Sequence, residues 1–346
     1  MAAAEEMWLR NLLLTRLLYP LLHMRKVAVF VNPLLSNKRA ARAAAMRIEA
    51  LLRGRGLEVS IRELGTIPEA AELARRATED GCDTVFSCGG DGTAFALLQS
   101  LAGSGVALGI LPMGTGNVLA QNMRLPRDPV GAAKALLNGG TRNIPLGRLT
   151  TITDGGLESS WYFAMSAGIG AHATLLRQAE RWGKHISGRA AYFLAGAALL
   201  LRHRIECFEL EITIAGGKTL TWQASEALAV RVAEVNIWRP GGDLHTPMLR
   251  LASVAAKSRL QLGRASIGAL LRGSAPEMSD KEAVGGVDGP GYSVKYHDIT
   301  RLVCRPIAGR GYRAAPLVQA DGEVLGASNA VITMADKRLT LLWPKD

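Results

Sequence analysis

The sequence predicts an α/β protein in two parts: an N-terminal doubly wound parallel sheet and a C-terminal antiparallel β-sandwich. Three observations predict it. From Lys26 to about Arg142, short apolar β-branched runs alternate with helical stretches, the βαβα rhythm of a parallel sheet. Two of those runs lead into glycine-rich loops that each open a helical segment, at residues 87–93 and 112–117. After Asn143, alternating segments follow one another with few helices between them, as antiparallel strands do.

Taken in order, Val27-Ala28-Val29-Phe30-Val31 is the first predicted strand. Residues 40–52 read as a helix that Gly54 and Gly56 close. Residues 57–61 alternate as a strand, 69–78 are helical, and 83–88 return to strand. A helix over 94–99 follows the first loop, 106–111 form the next strand, and a helix opens at Val118. Asp128-Pro129 supply the cap and first turn of a helix through Leu137, ended by Gly139-Gly140.

In the second part, a strand over 161–167 runs into Gly168-Ile169-Gly170-Ala171-His172-Ala173, followed by helical runs at 174–181 and 190–203. Strands are predicted at 207–214, 218–223, 227–233, 248–252, 292–297 and 301–305, with a helix inserted at 265–272. The glycines of 273–291 predict a mobile loop. The last segments, 331–334 and 338–343, could return to either part. The expected division is an N-terminal extension over 1–24, a nucleotide-binding domain over 25–145 and a β-sandwich substrate domain over 146–346.

At 346 residues and 48% hydrophobic content the chain can bury a sizeable core. Its net charge of +11 favours anionic partners. Aromatics make up only 5% and do not interleave with basic residues, so a nucleotide and an acidic bilayer fit the charge better than nucleic acid. Cys82, Cys88, Cys207 and Cys304 show neither metal-ligand spacing nor a disulfide framework, and read as small buried hydrophobes in a reducing cytosol. Residues 7–23 place Trp8, Leu9, Leu12, Leu13, Leu17, Leu18, Leu21 and Leu22 at helical spacing. Arg16 and Pro20 make the stretch a poor spanning helix, and no small-residue cleavage site is evident. A helix lying on a membrane, a helix packed on the protein's own core, and an extension upstream of a start near Met24 all fit it.

The loop Ser87-Cys88-Gly89-Gly90-Asp91-Gly92-Thr93 carries the chemistry. Strand, glycine turn, helix is an arrangement that binds phosphate. Glycines bring bare N–H groups close to an anion, and the helix N-terminus adds unpaired donors and the positive end of its dipole. Asp91 would repel phosphate unless Mg²⁺ sits between them. The second loop, Pro112-Met113-Gly114-Thr115-Gly116-Asn117, follows the next predicted strand, so both loops belong at the carboxyl ends of a parallel sheet.

Gly89-Gly90-Asp91-Gly92-Thr93 followed by Gly114-Thr115-Gly116-Asn117 resembles the diacylglycerol kinase and sphingosine kinase catalytic family, in its bacterial soluble lipid kinase branch. Asn32-Pro33 resembles that family's first loop, Thr66 its nucleotide-contacting Thr, and Asp321-Gly322-Glu323 its acidic motif. The resemblance implies a nucleotide domain followed by a β-sandwich domain, and transfer of the γ-phosphate of ATP to a lipid hydroxyl with Mg²⁺. It implies that Asn32, Thr66, Gly89, Gly90, Gly92, Thr93, Gly114, Thr115, Gly116 and Asn117 hold ATP. Asp91 would organise Mg²⁺ or the ribose–phosphate network, Glu323 would be the general base, and Asp321 would support it or help with metal. A lipid substrate at an anionic membrane surface, a peripheral place on the inner face of the membrane and a homodimer are further expectations. Glu323 could instead be one more carboxylate on a turn, since Asp-Gly is an ordinary hairpin dipeptide.

Some residues depart from the family. His172 stands where Asp is usual. Pro247-Met248-Leu249-Arg250-Leu251-Ala252 lacks the acidic pair that follows the turn in relatives with a structural Mg²⁺, and Pro145 replaces a common Asp. Three rivals share parts of the pattern. NAD kinase has the Gly-Gly-Asp-Gly loop, but its Asn-Glu dipeptide occurs nowhere in this chain. A non-catalytic lipid or nucleotide sensor would keep the loops and lose the base. A dinucleotide oxidoreductase would need Gly-x-Gly-x-x-Gly after the first strand, where Asn32-Pro33-Leu34-Leu35-Ser36 stands.

Overall fold

A computed structural model describes residues 24–32, 38–153, 155–170, 173, 207–235, 238–272, 284–289, 292–307, 316–327 and 329–345. The expectations for residues 7–23, 174–181 and 190–203, and for Pro33 and His172, lie outside the described residues. The chain divides into two compact units. The first holds residues 1–113, 123–143 and 339–346, and the second holds 114–122 and 144–338.

The first unit is the predicted parallel sheet. Its strands are β1 (Lys26–Val31), β2 (Glu58–Glu63), β3 (Thr84–Gly89) and β4 (Ala107–Pro112). They lie in the order β2-β1-β3-β4, every pair parallel. The end of β16 (Asn329–Trp343) extends this sheet, with Leu341 pairing in parallel beside Leu108 of β4. Residues of β3 and β4 are buried along their whole length, which is why they read as continuous apolar runs.

Four helices cover the sheet: α1 (Lys38–Arg53), α2 (Ile67–Glu79), α3 (Asp91–Leu101) and α5 (Pro129–Leu137), with α4 (Val118–Asn122) in the second unit. The step from β1 to β2 runs one way and the step from β2 to β3 runs back past β1, so right-handed crossovers put α1 and α2 on opposite faces. The packing agrees: α1 lies against α5, and α2 against α3. Asp128 caps α5 as predicted, its carboxylate accepting from the Gly131 N–H at 2.6 Å ahead of Pro129.

The second unit is antiparallel. β7 (Ser166–Gly170), β10 (Glu226–Val230) and β11 (Leu249–Ala256) pair in succession, and β14 (Leu317–Ala320) and β15 (Glu323–Ala327) form a hairpin beside β7. β13 (Tyr292–Pro306) is its spine. Its first half pairs with β11 and β12 (Val284–Gly289), and its second half with β16 and β8 (Phe208–Ile214), the register shifting between Ile299 and Arg301. β9 (Thr219–Ala224) continues from β8, and β6 (Glu158–Phe163) pairs with β5 (Gly140–Ile152). Helix α6 (Arg259–Arg272) lies against β11 and β13.

Several predicted elements need correction. The strand expected over 161–167 is two strands, β6 and β7, broken at Ala164-Met165. Residues 292–297 and 301–305 lie in one strand, β13, with an irregularity in its pairing, and 331–334 and 338–343 lie in one strand, β16. The loop expected at 273–291 contains β12, whose glycines pair with β13 through backbone alone. The long strand β5 was not predicted. Among the described residues no helix is long and apolar enough to cross a membrane. All four cysteines are free, and Cys82, Cys88 and Cys304 are buried. Burial pushes the Cys88 and Cys304 thiols up to about 12, as inert core residues require.

Candidate active site

Strand order 2-1-3-4 reverses direction between β1 and β3. In open α/β sheets, that reversal opens a crevice outside the carboxyl ends of the two strands, where ligands bind. The residues leaving β1 and β3 there are Asn32 and the loop that starts at Gly89. The two ends are bound together. The Asn32 N–H donates to the Cys88 carbonyl at 3.2 Å, and Asn32 Nδ2 donates to Thr93 Oγ1 at 3.1 Å.

Helix α3 begins at this point with no side-chain cap. Its N-cap is Gly90, in extended conformation, and Asp91 is its first residue. The N–H groups of Thr93 and Ala94 turn back to the Gly90 carbonyl. The helix therefore presents its positive end and first-turn amides at the switch point, and its N-cap residue, Gly90, brings no side-chain cap. Gly89 has a steric reason. A Cβ there would collide with the Thr93 hydroxyl and stand 2.7 Å from Thr93 Cβ. Thr93 accepts from Asn32 and keeps its own O–H as a donor.

The second loop belongs to the second unit and closes on itself. Asn117 sits in the left-handed region at φ 48°. Its Oδ1 accepts from the Gly114 N–H at 2.9 Å and its Nδ2 donates to the Gly114 carbonyl at 2.7 Å. Gln121 Nε2 donates to the Gly116 carbonyl at 2.5 Å. Asn117 thereby fixes the loop's shape, leaving Thr115 as its exposed side chain. Asn122, the last residue of α4, exchanges hydrogen bonds with both backbone groups of Glu234.

Thr66 is the N-cap of α2. Its hydroxyl accepts from the Glu69 N–H, and the Glu69 carboxylate accepts from the Thr66 N–H, a complete capping box. The residues Thr66-Ile67-Pro68-Glu69 are themselves the sequence signature of this cap. Arg42 of α1 pairs with Glu63 at 3.0 Å.

The acidic motif is the two-residue turn between β14 and β15. Asp321 and Gly322 take φ values of 48° and 92°, the left-handed pair that a tight hairpin needs. Asp321 is 4% exposed. Its Oδ2 accepts from the Ala164 N–H at 2.7 Å, and its Oδ1 from the Met165 and Ser166 N–H groups at 2.7 and 2.9 Å. These donors come from the break between β6 and β7. Beside them lies Arg231, fully buried, donating to the carbonyls of Ala164 at 3.2 Å and Leu244 at 2.8 Å. Burial pulls its guanidinium down to about 10, against the opposing pull of Asp321 and Asp243. Gln319 braces the turn from within, its Oε1 accepting from the Gly322 N–H at 2.9 Å. Glu323 emerges half-buried as the first residue of β15. Arg231 and the three amides left no sequence signal, because they meet Asp321 only through the fold.

The first unit fits a nucleotide's phosphates, because the glycines leave room and the bare helix end supplies donors. For Mg²⁺, Asp91 is the predicted ligand. Among the described residues no three His, Cys, Asp or Glu side chains converge. Asp91 fits an ion carried mainly by phosphate oxygens and water, which is how Mg²⁺ is usually held at phosphate sites.

A parallel sheet with a glycine-capped helix start at its switch point, and an antiparallel unit beside it in sequence, define a two-unit α/β protein. Residues 26–149 match the diacylglycerol kinase catalytic domain. A diacylglycerol kinase of Mycobacterium tuberculosis is 37% identical over 186 residues, covering 54% of this chain and 58% of that protein. One of Bacillus subtilis is 26% identical over 191 residues, covering 54% and 60%. The chain thus aligns with little more than half the length of these curated relatives. A crystal structure of a diacylglycerol kinase from Bacillus anthracis superposes with a TM-score of 0.62 over 93% of this chain and 97% of that one. At 16% identity this is a likeness of fold.

Proposed function

We propose that the chain is an ATP-dependent lipid kinase, transferring the γ-phosphate of ATP to a lipid hydroxyl of the diacylglycerol or sphingoid-base type. The observation that carries this is the uncapped start of α3 at the β1/β3 switch point, within the residues that match the diacylglycerol kinase catalytic domain. Phosphoryl transfer asks little covalent chemistry of a protein. It asks for positioning and for charge placed against the phosphates.

In this reading the backbone of Gly89, Gly90 and Gly92 wraps the phosphates and the Thr93 hydroxyl donates to them, held in line by Asn32. Asn117 keeps the second loop in the shape that lets Gly114, Thr115 and Gly116 meet the nucleotide. Asp91 holds Mg²⁺, which when bound offsets the phosphate charge. Glu323 takes the proton from the acceptor hydroxyl as its oxygen bonds to the γ-phosphorus, and ADP leaves with the bridging oxygen. Asp321 acts as a positioning residue: its three amide bonds set the turn from which Glu323 starts. The net charge of +11 supports work at an anionic bilayer face.

Incubation with γ-labelled ATP, Mg²⁺ and a panel of lipid extracts tests the reading. Label in a lipid is the expected result and names the acceptor. Label in NAD instead, or in no acceptor, overturns it.

A further inference from the structure

Within the antiparallel unit lies a cavity of about 150 Å³, lined by Trp222, Gln223, Ser253, Ala255 and Lys295. The pairing of β11 with β13 builds it. Ser253 stands opposite Lys295 and Leu251 opposite His297, so Ser253, Lys295 and His297 share one side of the sheet. The other side is covered, since Ala252, Val294 and Tyr296 pack with Ala265 of α6. On the cavity side, Trp222 of β9 stacks on His297 with ring centroids 5.0 Å apart, and Lys295 Nζ lies 5.0 Å from the same indole.

Two polar atoms in this corner have no partner, Ser253 Oγ and His297 Nδ1, on residues each 1% exposed. Buried polar groups are nearly always paired, so an orphan donor beside a cavity asks what occupies the space. None of the five lining residues is acidic, and one is a cation.

We propose that this corner is a binding site for a small oxyanion, a phosphomonoester or carboxylate group, distinct from the glycine loops. Lys295 supplies the charge and the Ser253 hydroxyl donates, while His297 supports the wall from beneath the Trp222 ring. Burial, reinforced by Lys295, holds the His297 imidazole neutral well below its usual range, so Lys295 is the cation of this corner. Size limits the ligand. Sites for whole drug-sized or nucleotide ligands run to roughly 300–1,000 Å³, so this one suits a phosphate or a headgroup fragment. The source is either free phosphate or the headgroup of an anionic lipid.

The test is calorimetric titration of the full chain, its nucleotide site filled by a non-hydrolysable ATP analogue, with inorganic phosphate and with glycerol 3-phosphate. Sedimentation with phosphatidylglycerol and with phosphatidylcholine vesicles runs beside it. Lys295→Met and Ser253→Ala are measured with the wild type. A free-anion site binds the soluble probes, and a headgroup site binds only the phosphatidylglycerol vesicles. In either case each variant weakens that binding about tenfold. No preference for soluble anion or for phosphatidylglycerol over phosphatidylcholine overturns the proposal. So does a Ser253→Ala protein that gains thermal stability and binds as tightly as the wild type, the signature of an unpaired hydroxyl with no ligand. Should Lys295→Met fail to fold, Ser253→Ala, which removes one buried oxygen, still decides.

Discussion

Asn32 Nδ2 donates to Thr93 Oγ1 at 3.1 Å, joining the end of β1 to the first turn of α3 across 61 residues of sequence. The bond sits at the one place where the parallel sheet reverses direction. It orients the Thr93 hydroxyl, because an oxygen that accepts from Asn32 turns its own hydrogen elsewhere. Asn32→Ala is therefore expected to weaken ATP binding by about tenfold, because the Thr93 hydroxyl loses the orientation of its bond to the charged phosphate, with the circular dichroism spectrum unchanged. Titration of a fluorescent ATP analogue checks it.

Gly89→Ala should do more. The added methyl meets the Thr93 side chain, whose neighbours are buried, so the α3 start must shift. Loss of measurable nucleotide binding together with a lower Tm is expected, whereas Asn32→Ala lowers affinity alone. Thermal melts with and without ATP separate the two.

Asp321→Asn leaves an amide group facing three N–H donors. It should destabilise the protein by about 3 kcal/mol, because buried donors lose their charged acceptor and Arg231 loses the charge that compensates its burial. Urea unfolding of the single variants and of Asp321→Asn with Arg231→Met measures the coupling. The double variant is expected to cost less than the sum of the singles.

The acid limb of stability should carry the signature of His297. Burial pushes its imidazole down from 6.5 to about 4, with Lys295 adding to the effect and Asp298 opposing it. Above pH 6.5 the ring is neutral in native and unfolded chains alike, and no stability is lost. As pH falls from 6.5 toward 4, the unfolded chain takes up a proton that the native one refuses. Stability should then decline by up to about 3 kcal/mol. His297→Asn should flatten that part of the profile in urea unfolding measured across the window.

Much of the first unit was legible because its causes are local. β1, β3 and β4 are buried on both faces and read as apolar runs, the glycine loop marks the turn into α3, and Asp128-Pro129 announce α5. The second unit hides its causes. β6 and β7 part at Ala164-Met165 because a carboxylate 157 residues further on claims the Ala164 N–H. β12 looks like a loop because its glycines contribute backbone and no pattern. The candidate site divides the same way. Its glycines and Asp91 are visible as a motif, while the cradle around Asp321 depends on Arg231 and on amides that carry no side-chain signal.

The most direct measurement compares label transfer from γ-labelled ATP to lipid by the wild type and by Glu323→Gln, with nucleotide affinity determined on the same samples. Loss of a positioned base should slow transfer by about 10²–10⁴-fold while ATP binds as before. Undiminished transfer by Glu323→Gln, or transfer to no lipid by the wild type, would contradict the account.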